Sequence, residues 1–313
     1  MTNLQYLYTY TFHHDEDELC YMEMRAFFER DTRDSVIISP VKIDPSRSPF
    51  MNMRLTIEEQ APTLEALIAQ LGTLHMGDET FRVTCFNNEA YGETAKIDHP
   101  TRRKIERTVA MSIQGEPELD NPAVEFGLVQ YGDMWYFGRY ELSESVWRHH
   151  LQKPHMYSTA LSTRVARAIA NIAVPFPEGV KAIDPCCGIG TVLVEARSMG
   201  IDIVGRDMNQ LVVYGSRKNL RHFGYHDQVD IGPIAEATGE FDVAIIDMPY
   251  NLFTKITREQ QGDILKEARR ITKHIVIVTI EPMDDLIEAA GFSVVDRCFA
   301  KKSNFSREIL YCQ

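Results

Sequence analysis

Two short runs of residues carry most of the chemistry that this sequence can perform. Residues 184–191 (DPCCGIGT) place Gly188 and Gly190 between a strand-like segment and a helix-like one. Residues 247–250 (DMPY) end a second strand-like segment, 241–246. Glycines in a strand-to-helix turn let the backbone approach a cofactor closely and adopt positive φ. Together the two runs predict a nucleotide-type cofactor beside a site that holds an amino group.

The residues around the glycine loop discriminate between nucleotide cofactors. Asp207 closes the next strand-like segment, 201–206, where a carboxylate can accept hydrogen bonds from a ribose diol. A dinucleotide-binding fingerprint requires a third glycine where this chain has Leu193. Asp184 ends its strand and can receive the ammonium group of a methionine moiety. The loop therefore favours S-adenosylmethionine, and the simpler alternative is a plain strand-to-helix turn with a helix-capping aspartate.

The 247–250 run suits methyl transfer to an amine. The amine must aim its lone pair at the methyl carbon, and two acceptors can take its protons and hold that orientation. The carboxylate of Asp247 and the carbonyl of Met248 are the candidate acceptors. Pro249 fixes its own φ and restricts Met248, while Tyr250 offers a flat face for stacking a base. Standing alone, such a tetrapeptide is commonly a strand-ending turn.

The spacing of the two runs argues against two unrelated turns. Asp184 and Asp247 are 63 residues apart, which suits three successive strand–helix units of about 20 residues each. This spacing predicts that Asp247 ends the fourth strand of a doubly wound α/β sheet, beside the first strand. Open α/β sheets bind their ligands at this position, outside the carboxyl ends of the strands.

Residues 155–313 resemble the Rossmann-like methyltransferase domain of RNA guanine-N2 methyltransferases, nearest to the archaeal and eukaryal enzymes that modify guanosine 10 of tRNA. Three segments carry the resemblance: 184–191 is close to D-P-F/C-C-G-S/T-G-T, 247–250 to D-P-P-Y, and 154–168 to the helix before the loop. The resemblance implies S-adenosylmethionine as cofactor and tRNA as partner. The cofactor residues that it implies are Asp184, Pro185, Cys186, Gly188, Gly190, Thr191, Asp207 and Met208. The target-base residues that it implies are Asp247, Met248, Pro249 and Tyr250.

Two departures from the family pattern keep alternatives open. Met248 stands where D-P-P-Y has its first proline, so the loop loses rigidity although the carbonyl that the chemistry needs is retained. The family's third strand usually ends in Gly-Asp-Ala, whose aspartate contacts the adenine amine, and the corresponding stretch 230–234 has no acid at that place. The first hypothesis is methylation of guanine N2 in tRNA. The others are a tRNA-binding protein without catalysis, and methylation of adenine N6 or of a protein glutamine.

The amino-terminal 150 residues alternate between strand-like and helix-like patterns. Strands are predicted at 4–12, 35–43, 81–86, 124–130 and 134–137, and helices at 19–30, 62–71 and 100–113. Thr101 is the expected cap of the last helix. This order resembles the amino-terminal region of the same methyltransferases, where a ferredoxin-like piece precedes an RNA-binding THUMP domain. Residues 121–126 and 135–138 are similar to the paired final strands of a THUMP domain.

The resemblance implies a two-part organisation of the chain. An α+β RNA-binding region is expected at 1–150, with the ferredoxin-like piece at about 1–55 and the THUMP-like piece at about 56–145. A Rossmann-like methyltransferase domain is expected at 151–313. An unrelated α+β domain is the alternative for the amino-terminal part.

The charge of the chain excludes a generic nucleic-acid binder. Residues 1–150 hold 14 Lys and Arg against 25 Asp and Glu, and the whole chain has a formal net charge of −12. RNA contacts must then come from local basic patches. The candidates are a face of the third predicted helix and one residue in the linker that follows: Arg102, Arg103, Lys104, Arg107 and Lys153. A solvated helix face is the alternative for these residues.

The remaining sequence features predict a cytoplasmic protein without a structural metal. The six cysteines form no C-x-x-C pair, so a zinc site is not expected. His13 and His14 precede an acidic stretch and are interpreted as part of a solvated turn. No signal peptide is expected, and the sequence contains no apolar run of membrane-spanning length. The reducing cytoplasm is the expected compartment.

Overall fold

The fold is that of a computed structural model, which describes residues 4–31, 33–86, 97–157, 160–249, 256–302 and 305–313. Its strands are β1 Gln5–Tyr10, β2 Val36–Ser39, β3 Met51–Ile57, β4 Glu59–Ala61, β5 His75–Cys85, β6 Gln114–Pro117, β7 Val124–Tyr131, β8 Met134–Leu142, β9 Lys181–Asp184, β10 Asp202–Asp207, β11 Val229–Ile231, β12 Phe241–Asp247, β13 Thr272–Thr279, β14 Val294–Lys302 and β15 Phe305–Cys312. Its helices are α1 Asp17–Phe28, α2 Leu64–Leu71, α3 His99–Ala110, α4 Thr163–Ala173, α5 Thr191–Ser198, α6 Gln210–His222, α7 Arg258–Ile271 and α8 Asp284–Ala289.

The chain divides into two compact units that interleave in sequence. The amino-terminal unit consists of Met1–Thr11, Thr32–Ser46 and Phe50–Glu144. The carboxyl-terminal unit consists of Phe12–Asp31, Arg47–Pro49 and Ser145–Gln313. Helix α1 therefore belongs to the carboxyl-terminal unit, although it precedes most of the amino-terminal one in sequence. The predicted organisation into an RNA-binding region and a methyltransferase domain stays a prediction.

The amino-terminal unit is built on one mixed sheet. Its strands follow the order β2-β1-β3-β8-β7-β5-β6, and β4 pairs with β8. Aromatic side chains from three of these strands, Phe81, Phe126 and Phe137, are fully buried in a core that α2 and α3 cover. The expected cap of α3 was wrong. Asp98 caps this helix, because its side chain accepts a hydrogen bond from the backbone N–H of Thr101 at 2.8 Å.

The carboxyl-terminal unit holds the predicted doubly wound sheet. The strand order is β11-β10-β9-β12-β13-β15-β14, and its pairs are parallel except those that involve β15. Residues 243–246 and 275–278 are buried along their whole length, as expected for parallel strands covered on both faces. β12 pairs with β9, Val243 opposite Ala182, so the fourth strand does lie beside the first. The carboxyl ends of β9, β10 and β12 consequently share one edge of the sheet.

Helix α1 and the segment 47–49 complete this unit through buried polar contacts. Glu23 of α1 accepts hydrogen bonds from Ser48 and from the amide of Asn171 on α4, the latter at 2.7 Å. Burial raises the pKa of Glu23 to about 7, while these two hydrogen bonds oppose the rise. The carboxyl-terminal unit thus uses residues from three separate stretches of the chain.

Candidate active site

The glycine loop connects β9 to α5 in a turn that requires both of its glycines. Gly188 and Gly190 have φ values of +52° and +77°, in the left-handed region that side chains disfavour. A Cβ on Gly190 would also lie 2.3 Å from the hydroxyl oxygen of Ser216. The turn is closed by a hydrogen bond of 2.8 Å from the Gly190 N–H to the Cys187 carbonyl. The predicted strand–loop–helix arrangement is therefore present.

Asp207 ends β10 and binds the main chain on both sides of it. One carboxylate oxygen accepts the N–H of Gly188 at 2.9 Å, and the other accepts the N–H of Asn209 at 2.8 Å. These bonds tie the glycine loop to the turn after β10. A carboxylate oxygen has a second lone pair, so Asp207 can still accept from a hydroxyl group. Met208, the next residue, is 74% exposed beside it.

Asp184 lies deeper than Asp207 at the same sheet edge. Its carboxyl is buried and accepts one hydrogen bond, from the N–H of Cys186 at 3.2 Å. Burial raises the pKa of Asp184 well above its usual value, and the charges of Asp247 and Asp207 raise it further. Pro185 beside it is also buried. A cation at this edge would therefore interact with three carboxyl groups that come from β9, β10 and β12.

Asp247 closes β12 with an acceptor that has no partner. Its Oδ1 is buried, and the described part of the chain offers it no hydrogen bond. Burial raises the pKa of this carboxyl to about 7, and the charge of Arg307 opposes the rise. An unmatched buried oxygen is unfavourable unless a ligand supplies a donor. The site residue that the sequence predicted as an amine acceptor thus has an oxygen available for one.

Met248 is positioned by a hydrogen bond that a proline could not make. Its N–H donates to the carbonyl of Val278 at 2.9 Å, which extends the β12–β13 ladder by one residue. The side chain is 1% exposed. The expected loss of rigidity at this position is therefore compensated, because this bond fixes the orientation of the residue. Among the described residues, no backbone N–H donates to the Met248 carbonyl.

A cleft of about 1240 Å³ opens in front of this strand end, within the carboxyl-terminal unit. Met248, Pro249 and the hydroxyl-bearing Thr191 line it. The Thr191 hydroxyl is buried and, like Asp247 Oδ1, has no partner in the described part of the chain. The cleft is thus continuous from the start of α5 to the loop after β12. Tyr250, the predicted stacking residue, lies outside the described residues.

Further cleft residues come from elements that the sequence analysis did not connect with the site. Gln261 on α7 lines the cleft and is 7% exposed. Phe305 and Arg307 on β15 also line the cleft. They lie outside the two motifs in sequence. Only the strand order, with β15 next to β13, brings the hairpin to this edge. The sequence contained no spacing signal that would have identified them.

The stretch after the third strand lacks the acid of the family pattern, as expected. β11 ends at Ile231, and the Gly232 N–H donates to the Asp207 carbonyl at 3.0 Å. Asp230 lies within β11, one residue before its end, and its carboxylate is 3.6 Å from the guanidinium of Arg206. Glu236 lies at the same distance from Arg206. β11 pairs with β10, with Ile231 opposite Asp207, so residues 230–234 include the end of the third strand.

The predicted RNA-binding residues divide into exposed and engaged side chains. Arg103, Lys104 and Arg107 are exposed on α3, although Arg103 is 3.0 Å from Glu106. Arg102 is half-buried and donates to the Cys85 carbonyl at 3.4 Å.

Lys153 does not suit a phosphate contact. It is 8% exposed, and its ammonium donates to the His150 carbonyl at 2.7 Å and to the Thr163 hydroxyl at 3.1 Å. Desolvation lowers the pKa of this ammonium. Lys153 is therefore withdrawn from the predicted RNA contacts, because its donors hold the linker onto α4.

Metal ligands are arranged at one place among the described residues. Ligand atoms of His13, His14 and Asp15 lie within 4.8 Å of one another in an exposed turn before α1. Exposed groups of this kind are common without an ion, and the solvated turn expected from the sequence stays a prediction. Across the described ranges, no helix has the length and apolar character needed to cross a membrane.

Comparison with known proteins identifies the domain that carries the site. Residues 151–284 match the family model described as the RMKL-like methyltransferase domain of UPF0020. The tRNA (guanine(10)-N2)-dimethyltransferase of Methanothermobacter thermautotrophicus is 32% identical over 37% of this chain and 35% of its own length. The enzyme of the same name from Pyrococcus abyssi is 29% identical over 50% of each. The U6 snRNA (guanine-N(2))-methyltransferase THUMPD2 of Mus musculus is 25% identical over 63% of this chain and 37% of its own.

The chain thus spans half or less of the length of these curated relatives. Among solved structures, TrmN from Thermus thermophilus aligns over 99% of both chains with a TM-score of 0.50 and 17% identity, a likeness of fold. The family model covers the glycine loop, Asp207 and the 247–249 strand end, where the open acceptors lie. On these grounds residues 151–284 are a methyltransferase domain, and this chain is similar over part of its length to guanine-N2 methyltransferases of tRNA and of U6 snRNA.

Proposed function

We propose that this protein transfers a methyl group from S-adenosylmethionine to the exocyclic N2 amine of a guanosine in RNA, with tRNA as the substrate class. One observation carries the proposal. Asp247 Oδ1 is a buried acceptor without a partner among the described residues, and the next residue, Met248, lines an open cleft. Two acceptors at that place match the two protons of an exocyclic amine. The names of the curated relatives support RNA guanine as the target.

The residues of the glycine loop fit the proposed cofactor. S-adenosylmethionine, when bound, supplies an electrophilic methyl group on a positively charged sulfur. Asp207 has lone pairs left for the ribose hydroxyls, and the space beside Gly188 is open because no atom lies within 4 Å of where its Cβ would be. Burial raises the pKa of Asp184, and a cation bound at this edge of the sheet would favour its ionised form. The unpartnered hydroxyl of Thr191 is a further donor on this side of the cleft.

One side chain that lines the cleft can contact the edge of a guanine base. The Watson–Crick edge of guanine presents the N2 amine, the N1–H donor and the O6 acceptor in turn. Gln261 lines the cleft with an amide that can accept from N1–H and donate to O6. Its neighbour Gln260 is not available in the same way, because its side chain forms the capping box of α7 with Thr257.

Asp247 and Met248 would act by orientation. With its two protons held by the carboxylate and the carbonyl, the amine lone pair points at the methyl carbon. As the N–C bond forms, the C–S bond breaks and leaves a neutral sulfur, and the proton that the methylated nitrogen loses passes to the Asp247 carboxylate. Pro249 restricts the backbone directly after the two acceptors. Tyr250 keeps its proposed role as the stacking platform for the base. In this scheme the methyl carbon and the amine nitrogen meet between the two walls of the cleft.

RNA recognition by the amino-terminal unit belongs to the same proposal. The exposed cations of α3, with Arg102 half-buried at their edge, offer a local basic surface on a chain of net charge −12. Such contacts position a folded RNA without reading its sequence. Charge reversal of Arg102, Arg103 and Lys104 together should weaken tRNA binding and leave cofactor affinity unchanged. Filter binding across a salt series should show a slope lower by roughly one for each phosphate that the variant no longer neutralises.

The experiment that tests the function is methyl transfer followed by nucleoside mass spectrometry. The full chain is incubated with isotopically labelled S-adenosylmethionine and unmodified tRNA transcripts, and the digested nucleosides are separated. Label in N2-methylguanosine or its dimethyl form supports the proposal. Label in N6-methyladenosine, or none in RNA despite cofactor binding by calorimetry, would overturn it. The cytoplasmic location remains part of this proposal, because the six cysteines form no C-x-x-C pair and suit a reducing compartment.

A further inference from the structure

One face of the β14–β15 hairpin forms a wall of the cleft. In the antiparallel register Ala300 is opposite Arg307, and Lys302 is opposite Phe305. Directly opposed residues share a face, as do residues two apart along a strand. Ala300, Phe305 and Arg307 therefore belong to one face of the hairpin, and all three line the cleft with Met248 and Pro249. The positively charged Arg307 on β15 therefore lines the same cleft as Met248 and Pro249, which directly follow β12.

Arg307 is supported in a fixed orientation on an aromatic ring. Its guanidinium carbon lies 4.7 Å from the centroid of the Phe305 ring, within the range of a cation–π contact. Phe305 remains 38% exposed, and Arg307 is half-buried. A planar guanidinium held in this way is preorganised to bind two oxygens of one phosphate group.

Three other lysine or arginine side chains line the cleft, Lys153, Arg164 and Lys301, and the first two contact residues of the same unit. Arg164 on α4 lies 2.9 Å from Glu16, and the Lys153 ammonium donates to main-chain and hydroxyl oxygens. Asp15 and Glu16 line the cleft as well, so one part of its wall is acidic. Arg307 differs from these cations by its place, because it lines the cleft on the same face of the hairpin as Phe305. Arg307 is also near enough to Asp247 for its charge to act on that carboxyl.

We propose that Arg307, backed by Phe305, is a phosphate subsite that holds the sugar-phosphate backbone at the target nucleotide. The inference rests on the proposed function, because a base whose amine reaches Asp247 must leave its ribose and phosphates at the mouth of the same cleft. Phosphate contacts of this kind fix the register of a nucleic acid and leave its sequence to other groups. Arg307 would thereby set which nucleotide of an unpaired segment enters beside Pro249.

The test pairs a side-chain change with a neutral phosphate in the RNA. The substrate is a short uridine oligonucleotide with one central guanosine, in which each phosphate flanking the guanosine is replaced in turn by a methylphosphonate. In the wild-type full chain, one of the two replacements should raise the dissociation constant and the KM at least about tenfold. Arg307→Gln should raise both constants for the unmodified oligonucleotide by a similar factor. In that variant the same methylphosphonate should have no further effect.

A matched control comes from the same hairpin. Arg297 on β14 is 2.9 Å from Glu308 and also pairs with Asp284, and it does not line the cleft. Arg297→Gln should leave both constants and the methylphosphonate effect as in the wild type. Arg307→Lys should retain part of the affinity, because the charge remains while the two-pronged geometry is removed.

The outcomes separate the subsite from the function on which it rests. If Arg307→Gln lowers kcat with KM unchanged, and the methylphosphonate effect persists, Arg307 acts on Asp247 and holds no phosphate, so the proposal is wrong. Equal dissociation constants for wild type and Arg307→Gln would also overturn it. If the wild type methylates no RNA, the proposed function fails. The dissociation constants of the four protein–RNA combinations still decide the subsite in that case.

Discussion

The polar groups at the two halves of the site differ in what they contact. At the ends of β9 and β10, Asp207 accepts two main-chain N–H groups and holds the glycine loop in place. At the end of β12, Asp247 has a buried oxygen with no partner within the described ranges. In the first half both carboxylate oxygens of Asp207 already accept hydrogen bonds from the protein, and a cofactor can contact this preformed structure. The second half is unfavourable as it stands and becomes satisfied when an amine donates to it.

The two halves also differ in how the chain builds them. The glycine loop and Asp207 come from one strand–helix–strand segment of about 25 residues, in which local hydrogen bonds and positive φ angles set the geometry. The Asp247 half draws on β13 through the Val278 carbonyl, on α7 and on the β14–β15 hairpin. Local sequence determines the first half, whereas the tertiary fold determines the second. Mutations at the two acids should consequently fail in different ways.

The largest expected effect is the loss of turnover on substitution of Asp247, whose buried oxygen has no partner among the described residues. Asp247→Ala removes the charged acceptor that orients the amine, so kcat should fall by about 10²–10⁴-fold. Cofactor affinity should stay close to that of the wild type, because the glycine loop and Asp207 are unaffected. Single-turnover methyl transfer and calorimetry with S-adenosylmethionine measure the two quantities separately.

The control for this change lies on the same strand. Asp242, at the start of β12, is exposed and accepts the Lys181 N–H at 2.7 Å, away from the site edge. Asp242→Ala should therefore leave turnover unchanged. Wild-type turnover in Asp247→Ala would remove Asp247 from the chemistry and, with it, the contrast between the two halves.

The same contrast explains how far the sequence alone could be interpreted. The glycine loop and the place of Asp247, on a fourth strand beside the first, follow from residue types and spacing. The compensation at Met248 could not be predicted, because the Val278 carbonyl becomes its neighbour only through the pairing of β12 with β13. Lys153 looked like a surface cation, yet its donors are used inside the unit. The assignment of α1 to the carboxyl-terminal unit depends on contacts far apart in sequence, which carry no local pattern.

An intermediate effect, on cofactor affinity, is expected for substitution of Asp207, whose two carboxylate oxygens accept main-chain hydrogen bonds. Asp207→Ala removes the acceptor proposed for the ribose and also the carboxylate that ties Gly188 to Asn209. S-adenosylmethionine should bind more weakly by about 1–3 kcal/mol, a factor of about 5–150. Asp207→Asn should lose less affinity, because an amide oxygen can still accept one of the two N–H groups. Calorimetry on the two variants measures the difference, and equal wild-type affinity in both would exclude Asp207 from the cofactor site.

The smallest of these effects is a pH dependence that belongs to Asp247 alone. Burial raises the pKa of this carboxyl from 3.8 to about 7, with Arg307 opposing the rise. The ionised carboxylate is the better acceptor for the amine, so kcat/KM should increase with pH and level off above about 7. At one pH unit below the pKa about a tenth of the carboxyl is ionised, so kcat/KM should be about tenfold lower there.

The raised pKa of Asp247 makes folding stability fall as pH rises, whereas kcat/KM should increase. The assignment of the titration to Asp247 can therefore be tested by two measurements. Because the folded state holds the Asp247 proton more tightly than the unfolded chain, the stabilisation from this group is present below about pH 4 and lost as pH rises to about 7. Asp247→Asn should therefore gain stability over the wild type at pH 8 and match it near pH 4. Its lower kcat/KM should also be flat between pH 6 and 8, because an amide does not titrate. Denaturant unfolding and initial rates measured in the same buffers give both curves. A slope that persists in the Asn variant would assign the titration to another carboxyl of the site, and Asp184 is then the nearest candidate.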